Sequence, residues 1–399
     1  MRVLLATREY PPFYVGGIGK QAFYLVKYLK RKGVKVTVVS FGDPKLSSDD
    51  VVFLKPGSSI IARKHNNVVE DLKIPLDIVR YTEFCKKILR RVDYDILHVL
   101  EPYVGGFIQY EHKVTTIHSV TLDELKVHIR YYKTGPMSEI LKRFVFYSTI
   151  GYSMDLASIV TSKIIVTPSI DTMWKLIRMY RVPREKVRFV PNGAEEPPSN
   201  EPDKLTARKI LGISEEVFVV FTTAYHVARK KLETLVKAAK VLKDKKLRNI
   251  VIIIGGEGPL TEYLKSLALD LNVQDIVKFV GWVPEDKLPL YYKASDVFVI
   301  TSEYEGGPQT MLEAGIRGVP LIVSDTQSGF MMIAKNNVHC LKFRFGDATD
   351  LAEKIIQLIN DQGLQKKLSY EAKRFASMFR WDNIAEKMVA IYREVLGES

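Results

Sequence analysis

Short β-rich apolar runs alternate with amphipathic helical stretches along this chain, and that alternation restricts it to parallel sheets joined by crossover helices. Strand-like runs fall at Val3–Ala6, Val34–Ser40, Ile96–Leu100, Val114–Ile117, Ile164–Thr167 and Val187–Val190. Between them lie helical patterns at Ile18–Lys32, Leu76–Arg91, Thr121–Tyr132, Ser138–Ala157 and Ser169–Tyr180. The alternation stops at residues 191–202, where four prolines in twelve residues can continue neither a strand nor a helix. It then resumes. Strands are expected at Val217–Thr223, Ile250–Ile254, Ile276–Val280, Val297–Thr301 and Pro320–Val323. Helices are expected at Lys230–Lys243, Pro259–Leu271, Glu285–Lys293, Gln309–Arg317, Leu351–Asn360 and Leu364–Ala376, with a last helix, Trp381–Leu396, after the series closes. Two doubly wound α/β domains follow, residues 1–193 and 194–377, with residues 378–399 as a terminal helix. Ligands in such sheets bind beyond the carboxyl ends of the strands, and a cleft between the sheets is the expected site.

Composition excludes several classes. The 24 glycines and 18 prolines in 399 residues are ordinary and no low-complexity tract occurs, so collagen-like and disordered chains are out. Cys85 and Cys340 are the only cysteines and have no metal-ligand spacing, which excludes a disulfide scaffold or zinc ribbon and fits a reducing cytosol. The apolar start Val3–Ala6 is too short for a signal-peptide core, so a cytoplasmic protein is expected. Charge is one-sided. Residues 1–190 carry 31 Lys and Arg against 18 Asp and Glu, whereas residues 191–399 carry 28 of each. The whole excess of +13 therefore lies in the first half, which points to an anionic partner there: a nucleic acid, an anionic membrane or a phosphorylated substrate.

Candidate site residues occupy strand-to-helix junctions. Gly16, Gly17 and Gly19 open the first helix, where free N–H groups and the helix dipole suit a phosphate; a tight structural turn explains them equally well. The spacing is neither a dinucleotide fingerprint nor a P-loop. Asp93 and Asp95 precede their strand, the wrong end for a metal site. His118 ends a strand at the correct end. Arg229-Lys230-Lys231 starts a helix and reads either as a solvated basic turn or as a diphosphate clamp. Gly255-Gly256-Glu257-Gly258 forms another glycine loop. The richest segment runs from Ser302 to Ala314: Glu305 sits in a loop after a strand, Gly306 and Gly307 expose backbone, and Glu313 lies on the next helix. Carboxylates there would accept hydrogen bonds from the hydroxyls of a sugar or ribose.

With these residues in place the chain resembles, over nearly its whole length, a family 4 glycosyltransferase with the glycosyltransferase-B fold. The likeness rests on Gly16-Gly17-Ile18-Gly19, on His118 in Thr116-Ile117-His118-Ser119, on Pro191-Asn192-Gly193 and on Phe279-Val280-Gly281-Trp282-Val283. The most specific element is the pair Glu305 and Glu313, followed by Ala314, Gly318 and Pro320. The terminal helix resembles the one that crosses back onto the N-terminal domain. The resemblance implies retaining transfer of a hexose-type sugar from a nucleotide-diphosphate sugar to an acceptor hydroxyl, with no metal and no further cofactor. By the same resemblance Glu313 holds the ribose, Glu305 contacts the donor sugar and Lys230 neutralises the leaving diphosphate. Gly17 adds an N–H to that phosphate, His118 positions the sugar, and the loop at Val283 sits by the base.

Two departures stand out. The family's arginine before the lysine is missing, Ala224-Tyr225-His226 standing there, so His226, Arg229 or Lys231 substitutes or phosphate binding is weakened. Pro308 occupies a glycine position and lacks an N–H. Rival readings are a glycogen or starch synthase-like glucosyltransferase, which would carry a Lys-x-Gly-Gly pattern absent here, and a non-catalytic nucleotide-sugar-binding subunit. Because Lys230 and Glu305 lie in a loop or at a helix start, replacing either is expected to cost activity with little loss of stability. The basic and aromatic stretches Arg130-Tyr131-Tyr132-Lys133 and Lys142-Arg143-Phe144 suit an anionic membrane face. A lipid-linked saccharide is therefore the preferred acceptor, ahead of a soluble sugar or phosphosugar, and nucleic acid ranks last.

Overall fold

A computed structural model describes residues 1–13, 16–56, 74–123, 125–126, 141, 144–247, 249–326 and 328–398. The stretches Arg130–Lys133 and Lys142-Arg143 lie outside them. Contacts divide the chain into a first unit, Met1–Asn192 with Trp381–Ser399, and a second unit, Gly193–Arg380.

The first unit holds a seven-stranded sheet in the order β3-β2-β1-β4-β5-β6-β7. Its strands are β1 (Arg2–Ala6), β2 (Lys35–Phe41), β3 (Val51–Leu54), β4 (Ile96–Val99), β5 (Lys113–Thr116), β6 (Ile164–Thr167) and β7 (Val187–Phe189). All neighbours pair in parallel. Strand side chains alternate between faces, and helices cover both, so the strands read as continuous apolar runs rather than alternating ones. Val3 and Leu5 pack with the helix Gly17–Arg31 and the terminal helix Trp381–Leu396; Leu4 and Ala6 pack with Tyr81 and Cys85 of the helix Ile74–Leu89 on the other face. The terminal helix is held here by a Tyr24–Trp381 stack at 5.9 Å and a Lys32–Glu386 ion pair at 2.5 Å.

Polar keys lock this unit. His98 of β4 is fully buried and shares hydrogen bonds with the Tyr392 hydroxyl (2.7 Å) and Thr116 Oγ1 (2.8 Å), tying β4, β5 and the terminal helix together. Lys113 is also buried, and its ammonium donates to the carbonyls of Gly105, Gly106 and Ile108 and to Thr161 Oγ1 at 2.7–3.0 Å. Burial lowers its pKa to about 7, but four acceptors around one nitrogen favour the charged form. The expected helix Ser138–Ala157 is, where described, helical without a break over residues 144–161, with a π-helical turn at Tyr147–Gly151 leading into Tyr152–Thr161.

The second unit holds a six-stranded parallel sheet in the order β10-β9-β8-β11-β12-β13. The strands are β8 (Phe218–Thr223), β9 (Ile250–Gly255), β10 (Val277–Gly281), β11 (Val297–Ile300), β12 (Leu321–Ser324) and β13 (Leu341–Phe343). Strands β3 and β13, each at an edge of its sheet, escape the sequence reading. Both sheets reverse direction in strand order between their first and fourth strands, that is β1/β4 and β8/β11. In doubly wound folds a ligand lies at this switch point, beyond the carboxyl ends. Both cysteines are buried free thiols. Among the described residues no helix is long and apolar enough to cross a membrane.

Candidate active site

The switch point of the second unit is occupied by charge. β8 ends at Thr223 and β11 at Ile300, and the loops after them carry Arg229, Lys230 and Glu305. Lys230 forms an ion pair with Glu305 Oε1, and Arg229 Nη1 lies 3.3 Å from Oε2. Ser302 Oγ donates to Oε1 at 2.6 Å. The Glu305 peptide is bracketed by Ser328 Oγ, which accepts from its N–H at 2.5 Å and donates to its carbonyl at 2.9 Å. Thr301 Oγ1 donates to the Lys230 carbonyl at 2.6 Å, clamping one loop to the other. Lys230, Thr301, Ser302 and Glu305 line a crevice with Thr222, Thr223 and Thr310.

Glu305 is 7% exposed. Burial alone would raise its pKa, but the charges of Lys230 and Arg229 and the hydrogen bonds from Lys230 and Ser302 outweigh it and hold the carboxyl at about 2. For Lys230, burial lowers the pKa against the pull of Glu305. The cluster carries two cations and one anion, and so keeps a net positive charge at the crevice.

This geometry corrects two expectations. Lys230 does not begin the helix: a 3-10 turn spans Ala228–Lys230, Lys231 takes a left-handed conformation, and the helix starts at Leu232. Nor are Lys230 and Glu305 loosely placed loop residues, because each is the other's buried counter-ion. The structure also discriminates among the three candidates for the missing arginine. Lys231 turns away to Glu233 at 3.0 Å. His226 is buried, donates from Nε2 to the Gly255 carbonyl at 3.3 Å and is shared with Thr261 Oγ1 at 2.9 Å; burial lowers its pKa, which favours the neutral ring. Of the three, Arg229 is the one paired with Glu305, at 3.3 Å.

The loop Gly255–Gly258 has a packing explanation. Gly256 has φ +99°, and a Cβ there would stand 1.9 Å from the Ala224 carbonyl oxygen. Gly256→Ala is expected to destabilise the second unit by roughly 1–3 kcal/mol from backbone strain alone, with the clash added, and a thermal melt checks it. Gly306 and Gly307 follow Glu305, with Gly307 at φ +136°. Glu313 lies on the helix Gln309–Ile316 and accepts from the buried Tyr292 hydroxyl at 3.0 Å. Val283 is buried in the core, which leaves its backbone for any ligand, while neighbouring Trp282 is half exposed.

In the first unit, Gly16 caps the helix Gly17–Arg31, which contains Gly19, and donates its N–H to Glu9 Oε2 at 3.0 Å. His118 follows β5 and donates from Nε2 to the Leu100 carbonyl at 3.1 Å; burial lowers its pKa to about 4. Sequence reasoning missed the neighbouring cluster. Arg8 lies 3.4 Å from both Glu9 and Glu101, and its main-chain N–H donates to Glu101 at 2.9 Å. Charged residues directly after β1 and β4, at that sheet's switch point, were the available signal. Asp95, at the amino end of β4, accepts from the Arg2 N–H at 2.6 Å.

Two family models match the chain: the one described as Glycosyltransferase Family 4 over residues 15–196, and the one described as Glycosyl transferases group 1 over residues 203–375. The chain is 24% identical over 408 residues to an uncharacterized glycosyltransferase of Methanocaldococcus jannaschii, covering 100% of both. It is 26% identical over 336 residues to the alpha-monoglucosyldiacylglycerol synthase of Streptococcus pneumoniae, covering 81% of this chain and 70% of that one. Its fold matches the sucrose-phosphate synthase of Thermosynechococcus elongatus with a TM-score of 0.80 across 100% of both chains, at 19% identity. The chain belongs to glycosyltransferase family 4, and it is a glycosyltransferase of the glycosyltransferase-B fold.

Proposed function

We propose that the protein transfers a hexose-type sugar, with retention, from a nucleotide-diphosphate sugar to an acceptor hydroxyl. The observation that carries this reading is the Arg229–Lys230–Glu305 cluster at the β8/β11 switch point. Its net positive charge suits a diphosphate, and fixed cations there stabilise the charge that develops on the leaving group. Lys230 and Arg229 would then do what a metal does elsewhere, so transfer is expected to persist in EDTA. Glu305, Gly306 and Gly307 would face the donor sugar and Glu313 the ribose. Gly16, Gly17, Gly19 and His118 would serve phosphate and sugar from the first unit. Purified protein incubated with candidate sugar nucleotides should release nucleoside diphosphate, faster with an acceptor. Binding without release from any donor or acceptor combination would favour the non-catalytic reading instead.

For the acceptor we favour a saccharide carried on a lipid at an anionic membrane face. Residues 1–190 carry the whole charge excess, and Val79, Phe107, Phe144 and Val145 are exposed in the same unit. Ile78, Val79, Phe107 and Ile150 line an apolar pocket of about 340 Å³ there. The pneumococcal relative is named for a sugar joined to diacylglycerol. Each Lys or Arg near an anionic surface contributes about 1 kcal/mol. Vesicles of phosphatidylglycerol should therefore sediment the protein, less so at high salt and less so with Lys142→Glu and Arg143→Glu. Protein that stays in the supernatant at low salt would favour a soluble acceptor.

A further inference from the structure

Gln309 stands directly after Glu305-Gly306-Gly307-Pro308 and is the first residue of the helix Gln309–Ile316. It is 7% exposed, and neither its Oε1 nor its Nε2 has a hydrogen-bond partner among the described residues. Among those residues it is the one carboxamide with both polar atoms buried and unpaired. A carboxamide brings two donors and an acceptor, and leaving all of them unmade disfavours the folded state. An apolar side chain of the same length would fill the position without that penalty. Packing therefore does not account for glutamine here.

The surroundings point to a ligand. Gln309 and Glu313 are four residues apart on one helix and so share a face. Helical side chains lean toward the helix amino end, which directs Gln309 toward the loop that carries Glu305 and Glu313 toward Gln309. Thr310, the next residue, lines the crevice with Lys230 and Glu305. Pro308 removes one backbone donor from this loop, and the adjacent carboxamide restores donor capacity in a group that can also accept.

We propose that Gln309 is a donor-specificity residue whose carboxamide reads two neighbouring hydroxyls of the transferred sugar, one accepting from Nε2 and the other donating to Oε1. The inference rests on the reading above, that the second unit binds a nucleotide-diphosphate sugar, and extends it to the residue that selects the sugar. A site built to hydrogen-bond hydroxyls rejects ligands that lack them or misplace them, because its own polar groups are then left unpaired.

Calorimetric binding to the full-length protein tests this, with UDP, GDP, UDP-glucose, UDP-galactose, UDP-N-acetylglucosamine and GDP-mannose as probes. Gln309→Met should melt at or above the wild-type temperature, since it removes unpaired buried groups, and should bind the preferred nucleoside diphosphate unchanged. Its affinity for the preferred nucleotide sugar should fall at least tenfold, and its preference among sugars on one nucleotide should flatten. A lower melting temperature with unchanged sugar affinity would make Gln309 structural and overturn the proposal. Equal weakening toward the nucleoside diphosphate and its sugar conjugate would overturn it too, since the nucleotide would then be what it reads. Gln309→Leu, scored the same way, stands in if the methionine variant does not fold. A wild-type protein that binds none of the six overturns the donor reading, and this inference with it.

Discussion

Glu305→Ala is expected to slow sugar transfer roughly 10²–10³-fold, about 2.7–4 kcal/mol of barrier, and at the same time to destabilise the second unit. The two effects share one cause. Glu305 is buried and is the counter-ion of Lys230, so its loss leaves an ammonium uncompensated beside Arg229. Removing one partner of a buried pair costs about 3–5 kcal/mol. Lys230→Ala should behave alike, with the carboxylate then retaining Arg229 and the Ser302 hydroxyl. Glu305→Gln keeps the shape and the Ser302 contact, so it should recover part of the stability and little of the rate. Acid should mimic the substitution. The carboxyl sits at about 2 when folded against an ordinary 4.5, so its contribution is complete above about pH 4.5 and is lost as pH falls toward 2. Calorimetric melts and initial rates on the three variants check this. An alanine variant that melts with the wild type but turns over slowly would mean that Glu305 and Lys230 are not energetically coupled.

The first unit should fail in acid for a different reason and at higher pH. Burial lowers the His98 pKa from 6.5 to about 3, so the folded protein keeps this ring neutral between the Tyr392 and Thr116 hydroxyls. The unfolded chain binds the proton that the folded chain refuses. Stability is therefore complete above about pH 6.5 and declines as pH falls, by about 2 kcal/mol at pH 5 and about 4 kcal/mol near pH 3. His118, with its pKa lowered to about 4, adds to the loss but is less well covered. The chain has three tryptophans, and a Trp282→Phe background leaves Trp174 and Trp381, both in the first unit, as its reporters. Urea unfolding followed by their fluorescence should weaken from pH 7 to pH 5. His98→Gln should start from lower stability and show a shallower pH slope. An equal slope in the variant would remove His98 as the source.

The sheets and their crossovers were legible in the sequence because they rest on local pattern. A buried parallel strand needs only four to six apolar residues, a helix its 3.6-residue period, and a turn its Gly and Pro, all within one window. The same locality put Lys230, Glu305 and Glu313 after strands of the second sheet. What they touch was not legible. Lys230 and Glu305 are 75 residues apart, and His98 and Tyr392 are 294 apart. The strand order 10-9-8-11 makes β8 and β11 neighbours and so creates the first pair; β4 packed under the terminal helix creates the second. Arg229 rather than His226 or Lys231 reaches Glu305 because the backbone turns left-handed at Lys231 and His226 is held by Gly255 and Thr261. Sequence spacing therefore determined which residues stand at the ends of strands. Which of them neutralise one another was decided by strand order and burial, since a buried charge must find its partner across the fold rather than along the chain.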